Sequence, residues 1–368
     1  MEEVEFAIVG SGPAGLTAAV EAARKGVEVV LFDEHTRPGG QLFKQIHKFF
    51  GSEEHYAGKR GIDIGTLLLE QARRYGVTVR LDTIVWGLFE NNILGILNGG
   101  NPGSVKAKKI LLATGASENP LAFPGWTLPG VMGAGAVQTL INLHRVLPGK
   151  RALMVGSGNV GLIVSYHILQ AGGEVVKLVE AAPNITGWGV HASKLVRCGV
   201  PIEVSRTVKA AYGNNRVESV ELVSVDEDWR GIAGTEEKID VDLICIATGL
   251  TPLTELAWIA GCKHCYVPEL GGWVPVYNEN FETTVPGIYV AGDITGIDEA
   301  STAMEEGRIV GVSIAEALGY LEGYEAKSSR ERAFTRIREF HTSPWGVGVE
   351  HGREIVLKNS FEGAYGSG

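Results

Sequence analysis

Apolar residues gather in short runs along the chain, and the first of them opens a pattern that later repeats. "VEFAIV" leads into "GSGPAG", then an alanine-rich helical stretch, "LTAAVEAARKG", closed by Gly26, then a second apolar run, "VEVVLFDE". The predicted order is strand, tight turn, helix, strand. From Arg151 the same order returns as "RALMV", "GSGNVG", a helix, a glycine pair and "EVVKLVE". Each copy is followed by an apolar strand ending in Ala-Thr-Gly, "KKILLATG" and "VDLICIATG". "AYGNNRVESVELVSV" predicts strands joined by a turn at Gly213, Asn214 and Asn215. "DEASTAMEEGRIVGVSIAEAL" predicts a helix starting near Glu299, and "SSRERAFTRIREFH" an amphipathic one with Phe334, Ile337 and Phe340 on one face. That last helix either packs on the first unit or docks a partner.

A G-x-G-x-x-G between a strand and a helix, with an acid about 20 residues on, predicts a dinucleotide site. In the first copy Gly10 permits the turn, Gly12 lets the backbone approach a diphosphate, and Gly15 lets the helix pack on the strand. Pro13 and Ala14 open the helix, whose N–H groups would face the phosphates. Asp33, 23 positions after Gly10 and followed by Glu34, is the expected ribose acceptor. The second copy offers Gly156, Gly158, Asn159, Val160 and Gly161, with Glu180 24 positions after Gly156. A carboxylate there repels a 2′-phosphate, so this site is expected to prefer NAD over NADP. Thr114 with Gly115, and Thr248 with Gly249, close the two copies. Two similar units with different acids predict two different dinucleotides.

Composition narrows the picture. Fifty glycines in 368 residues, without a collagen-like period, point to turns and close backbone approaches. A net charge of −10 without basic clusters argues against nucleic acid. "MEEVE" runs into a strand without a signal-like segment, and no apolar run approaches the roughly 20 residues of a membrane helix, so a cytoplasmic protein without a membrane span is expected. The four cysteines, Cys198, Cys245, Cys262 and Cys265, do not form a disulfide framework. "GCKHC" is a C-x-x-C that reads as an incidental surface pair rather than a redox pair or half a zinc site, since no second pair completes a zinc site, and no metal site is expected.

With these motifs, and with "TTVPGIYVAGDITG" near the end, the chain resembles the two-dinucleotide-binding-domain FAD/NAD(P) flavoproteins, up to about residue 325. The resemblance implies an α/β fold of two Rossmann-like domains, as in thioredoxin and glutathione reductases. An FAD-binding domain of residues 1–118 and 252–326 would be interrupted by an inserted NAD-binding domain of residues 119–251, with a helix and tail at 327–368. It also implies that Gly292 and Asp293 serve the ribityl chain, and that Gly40 and Gln41 of "RPGGQ" lie by the isoalloxazine ring. Val85 would face the adenine, and Ala300 and Ser301 the pyrimidine edge. "FDEHTRPGGQL", "FPGWTLPGVMGAGAVQTL" and "ELGGWVPV" resemble more narrowly the α-subunit type of sarcosine oxidase, opine oxidase, hydrogen cyanide synthase and dye-linked proline or hydroxyproline dehydrogenases.

That narrower likeness implies FAD and NAD(H) as cofactors and a hetero-oligomer with a substrate-oxidising flavoprotein subunit. Members of the type often carry a cysteine-rich C-terminal region that binds an iron–sulfur cluster; no cysteine follows Cys265 here, so no cluster is expected on this chain, and any cluster the complex needs would be carried by another subunit such as a small iron–sulfur protein. The segment from Gly156 to Gly249 offers only Cys198 and Cys245, so thioredoxin-reductase dithiol chemistry is not expected. No side chain is assigned a catalytic role, because flavin and nicotinamide carry the chemistry themselves; His47, after the Gly-Gly-Gln, is the one lone candidate. Three readings stand: the electron-transfer subunit of a multi-component amine or amino acid dehydrogenase or oxidase; a stand-alone NADH:acceptor reductase; and a nucleotide-binding scaffold without turnover.

Overall fold

A computed structural model describes residues 1–342 and 344–362; the end of the expected tail lies outside them. The chain forms two compact units, residues 1–117 with 251–368 and residues 118–250, so it crosses between them twice.

The first unit begins with β1 (Glu2–Val9), α1 (Pro13–Ala23), β2 (Val29–Phe32), α2 (Gly61–Arg74) and β3 (Thr78–Arg80), continuing through β4 (Thr83–Phe89), β5 (Ile93–Asn98) and β6 (Asn101–Leu112) to β7 (Ala116–Glu118). The main sheet runs β3-β2-β1-β6-β5-β4. Pairs β2–β3, β1–β2 and β1–β6 are parallel, whereas β4–β5 and β5–β6 are antiparallel. All four residues of β2 are buried, as expected of a central parallel strand covered on both faces. Because β2 lies on one side of β1 and β6 on the other, the carboxyl end of β1 is a topological switch point, where ligands bind in open α/β sheets.

The second unit contains β8 (Val131–Gly133), α3 (Ala134–Asn142), β9 (Arg151–Val155), α4 (Asn159–Gln170), β10 (Glu174–Val179), α5 (Gly189–Arg197), β11 (Ile202–Glu203), β12 (Arg206–Tyr212), β13 (Ser219–Ser224), β14 (Glu237–Asp240) and β15 (Leu243–Ile246). A parallel sheet runs β11-β10-β9-β15-β8, with a second switch point at β9, and β12-β13-β14 form an antiparallel meander. The predicted turn at Gly213 joins β12 to β13. Side chains alternate across the parallel sheet as its pleat requires. Ala152, Met154, Leu178 and Cys245 enter one core, and Leu153, Val155, Val179 and Ile244 the other.

The chain re-enters the first unit through β16 (Leu250–Pro252), α6 (Glu255–Ile259), the hairpin β17 (His264–Val267) and β18 (Gly272–Pro275), and β19 (Ile288–Val290), which joins the main sheet beside β6. Three helices follow: α7 (Ala300–Ala317), α8 (Gly323–Phe340) and α9 (Pro344–Glu362). Ala333 and Ile337 of α8 are buried, and Phe334 packs against the same core, so this helix covers its own unit. The sequence pattern left α9 unpredicted; it carries Val356, fully buried in that core. Among the described residues, no helix is long and apolar enough to cross a membrane.

Candidate functional site

The two glycine turns share one hydrogen-bonded frame. Gly10 and Gly156 both have φ of 104°, and a Cβ would lie 2.2 Å from the Ala113 carbonyl oxygen in one case and 2.1 Å from that of Ala247 in the other. Only glycine fits such a position. At Gly15 and Gly161 a Cβ would strike the carbonyl oxygens of Gly10 and Gly156, at 2.0 and 2.2 Å, so the helix rests directly on the turn. Gly12 and Gly158 are different. Nothing stands within 4 Å of a Cβ built on Gly12, and near one on Gly158 there is only Thr186 Oγ1 at 4.0 Å. Both are helix N-caps without a side-chain cap, α1 continuing with Pro13 and Ala14 and α4 with Asn159 and Val160. The space beside each is therefore open, at an uncapped helix start of the kind that suits an anion.

A third glycine-rich helix start behaves otherwise. Gly133 caps α3, and the Gly135 N–H donates to Glu118 Oε1 at 2.6 Å. A Cβ at Gly133 or Gly135 would lie 2.5 or 2.9 Å from Glu118 Oε2, so a carboxylate of the chain itself occupies this place.

The acids after the second strands also share a frame, which engages both oxygens of each. Asp33 Oδ2 accepts from the N–H and hydroxyl of Ser11, while Oδ1 accepts from the His35 N–H at 2.8 Å and lies 3.1 Å from His35 Nδ1. A carboxylate accepts about four hydrogen bonds, and Asp33 accepts three within the protein, with His35 Nδ1 in reach of a fourth. Glu34 beside it is exposed, with His35 Nδ1 at 3.9 Å. Glu180 is likewise buried: Oε2 accepts from the Ser157 N–H and hydroxyl at 2.8 and 2.7 Å, and Oε1 from the Ala182 N–H at 2.9 Å. The residue after it is Ala181, so the second copy has no counterpart of Glu34.

Around the first turn the chain gathers several of the expected residues. The Gly39 N–H donates to the Ser11 carbonyl at 2.8 Å, and Gly40, at φ 52°, would bring a Cβ within 2.8 Å of Gly12 Cα. Gln41 follows on the surface. A Cβ on Gly292, at φ 81°, would lie 3.0 Å from that of Ala14, and one on Gly307 would lie 2.3 Å from the Ala14 carbonyl oxygen. The late Gly292–Asp293 turn and α7 therefore pack on the amino end of α1. Ala300 and Ser301 are the first residues of α7. Burial, with Asp298 and Glu306 nearby, pushes the Asp293 carboxyl up to about 7. Thr114 donates to the Leu253 carbonyl at 2.6 Å and Gly115 has φ of 76°. Val85 is half-buried on β4 opposite Ile96, away from the turn in sequence but against the same core. His47 stacks on Phe49 with ring centroids 5.8 Å apart.

In the second copy the place of Gly39 is taken by Gly187, whose N–H donates to the Ser157 carbonyl at 2.8 Å. Trp188 then stands where the first copy has Gly40, and its N–H donates to Asn159 Oδ1 at 2.9 Å. Thr248 donates to the Asn119 carbonyl at 3.2 Å and Gly249 has φ of 105°. All four cysteines are free, and burial pushes the Cys245 thiol up.

Sequence reasoning missed one set of residues beside Asp293. The Gly292 N–H donates to Glu306 Oε2 at 2.5 Å, and Thr295 Oγ1 donates to the same carboxylate. Glu306 is fully buried and pairs with Arg353 of α9. The signal was present: two adjacent acids, Glu305 and Glu306, interrupt an otherwise apolar helix, and buried carboxylates need cationic partners. Glu305 takes His55 at 2.6 Å and Arg336 at 2.9 Å.

Comparison with known proteins places this geometry. Residues 4–307 match the family described as Pyridine nucleotide-disulphide oxidoreductase. The chain is 30% identical over 375 residues to the HcnB subunit of hydrogen cyanide synthase from Pseudomonas aeruginosa, covering 95% of this chain and 80% of that protein. It is 28% identical over 353 residues to an opine oxidase subunit of Agrobacterium tumefaciens, covering 91% of this chain and 70% of that one. Among solved structures, the thioredoxin reductase of T. acidophilum superposes with a TM-score of 0.71 at 22% identity, over 87% of this chain and all of that one, a likeness of fold.

Proposed function

Since the chain belongs to the pyridine nucleotide-disulphide oxidoreductase family and is an FAD-dependent oxidoreductase, we propose that it is the electron-transfer subunit of a multi-component amine or amino acid dehydrogenase or oxidase, linking FAD to NAD(H). The observation that carries this reading is the repeated frame, two glycine turns each with an open cradle at a helix start. The named relatives from Pseudomonas and Agrobacterium are themselves subunits, which supports a hetero-oligomer.

In the first unit, Gly10, Gly12, Ala14 and Gly15 would hold the FAD diphosphate, with Pro13 setting the helix start. Glu34 would reach the ribose in place of Asp33, whose two oxygens are already engaged by Ser11 and His35, and Asp293 the ribityl chain. Gly40 and Gln41 would border the ring, with Ala300 and Ser301 at its pyrimidine edge, Val85 by the adenine, and Thr114 and Gly115 closing the site. In the second unit, Gly156, Gly158, Asn159, Val160 and Gly161 would hold NAD(H), with Glu180 fixing the turn and Thr248 and Gly249 closing it. FAD, when bound, supplies hydride and one-electron chemistry; the protein's part is to grip, orient and exclude water. The partner would be a substrate-oxidising flavoprotein, and any iron–sulfur centre would sit on a separate small protein.

Anaerobic titration of the purified yellow protein tests this. NADH is expected to bleach the flavin band, and a second flavoprotein is expected to co-purify. Bleaching of a lone chain that passes electrons to a soluble acceptor at full rate would instead identify a free-standing reductase, and a colourless chain that takes up no FAD would end the proposal.

A further inference from the structure

The helix α9 lies beyond the matched residues 4–307, yet it reaches the turn that carries Asp293. Arg353 is buried and pairs with Glu306 Oε1, whose other oxygen accepts the Gly292 N–H. The same guanidinium lies 3.6 Å from Asp298 Oδ2. Asp298 in turn accepts the N–H of Glu299, the N-cap of α7, at 2.7 Å. His341, at the carboxyl end of α8, sits between two acids: its Nε2 is 2.7 Å from Asp298 Oδ2 and its Nδ1 2.8 Å from Glu350 Oε2. Two cationic side chains from the C-terminal helices thus hold both ends of the segment from Gly292 to Ala300.

Charge explains why they are needed. Asp293, Asp298 and Glu306 are three neighbouring carboxyl groups, Glu306 buried and the other two half-buried. Burial pushes Glu306 up, and Arg353 is the first group that opposes it. Burial also acts on Asp298, but the hydrogen bond from His341 and the charge of Arg353 outweigh it and hold that carboxyl below its ordinary value. An isolated carboxylate in such a place would protonate or move, releasing the N–H groups that shape the turn.

We infer that Arg353 and His341 are positioning residues of the flavin site, acting through Glu306 and Asp298 to set the Gly292–Asp293 turn and the start of α7, so that the C-terminal helix pair is part of the cofactor-binding apparatus. This rests on reading that turn as flavin-binding.

The full-length protein is compared with Arg353→Met, Arg353→Lys and His341→Gln, measuring FAD dissociation constant, flavin-band circular dichroism and the melting temperature of the flavin-free form. Folded Arg353→Met is expected to bind FAD on the order of tenfold or more weakly, with an altered flavin-band signal and unchanged ADP-ribose binding at the second unit. Arg353→Lys is expected to recover part of that loss, and His341→Gln to show a smaller one. If Arg353→Met fails to fold, His341→Gln decides. Variants that bind FAD within twofold of wild type with an unshifted signal, even at a lower melting temperature, would overturn the inference. A wild-type protein that binds no FAD would overturn the reading beneath it instead.

Discussion

The two glycine turns are nearly superimposable in their hydrogen bonds and unlike in what surrounds them. Each anchors the serine after its first glycine on a buried acid, Asp33 for Ser11 and Glu180 for Ser157, and each rests its helix on the turn through the third glycine. Beyond that frame they diverge. The first turn is flanked by Gly40 and by the Gly292–Asp293 segment, whose glycines approach it so closely that a Cβ on Gly40 would lie 2.8 Å from Gly12 Cα. The second is flanked by Thr186, Gly187 and Trp188. In the proposed reading the frame would grip a diphosphate, and the neighbours would decide which nucleotide can follow it.

The sharpest way to break this comparison is to fill one cradle at a time. Gly12→Ala and Gly158→Ala each place a methyl group where the structure has open space, so the fold should hold. Gly158→Ala should keep its flavin and lose on the order of a hundredfold in kcat/KM for NADH, about 2.7 kcal/mol. Gly12→Ala should lose flavin yet still bind ADP-ribose by calorimetry. Equal losses of both ligands in both variants would show that the copies are not independent.

pH should separate the units next. Burial lowers His341, but its hydrogen bonds to Asp298 and Glu350 win and raise it to about 9, with Arg353 opposing. Because the folded value lies above the ordinary one near 6.5, this stabilisation is complete below about pH 6.5 and is lost as pH rises through 9, a change of about 3 kcal/mol in the first unit. In the second unit, Lys177 is lowered by burial but raised further by Glu203 and Glu237, so its pairs persist to more alkaline pH. Hydrogen exchange between pH 7 and 9.5, corrected for intrinsic rates, should therefore show loosening of α8 and α9 before β10.

The smallest expected effect concerns the ribose. Glu34→Gln should weaken FAD binding about fivefold, about 1 kcal/mol, without changing the melting temperature of the flavin-free form, whereas Asp33→Asn should lower that temperature because it disturbs the bonds to Ser11 and His35. The reverse outcome would return the ribose to Asp33.

Sequence made the frame legible because each of its glycines answers a local demand: a positive φ at Gly10 and Gly156, a close helix at Gly15 and Gly161. Such demands leave a fixed spacing. The division of labour between Asp33 and Glu34 left none, since two adjacent acids read alike until their hydrogen bonds are seen. Arg353 was hidden for another reason. Its partner Glu306 lies 47 positions away, and an ion pair between helices imposes no period on either of them. In α9 the polar and apolar residues do not sort into a clear stripe, so the segment read as tail although Val356 is fully buried.

Glu118 at the start of α3 bears on how such motifs are counted. By donating the Gly135 N–H to Glu118, the chain fills with its own negative charge a helix start that would otherwise leave that N–H open. Glycine-rich helix starts are thus not interchangeable: at α3 the negative charge is built into the chain, whereas at Gly12 and Gly158 the place beside the helix is open.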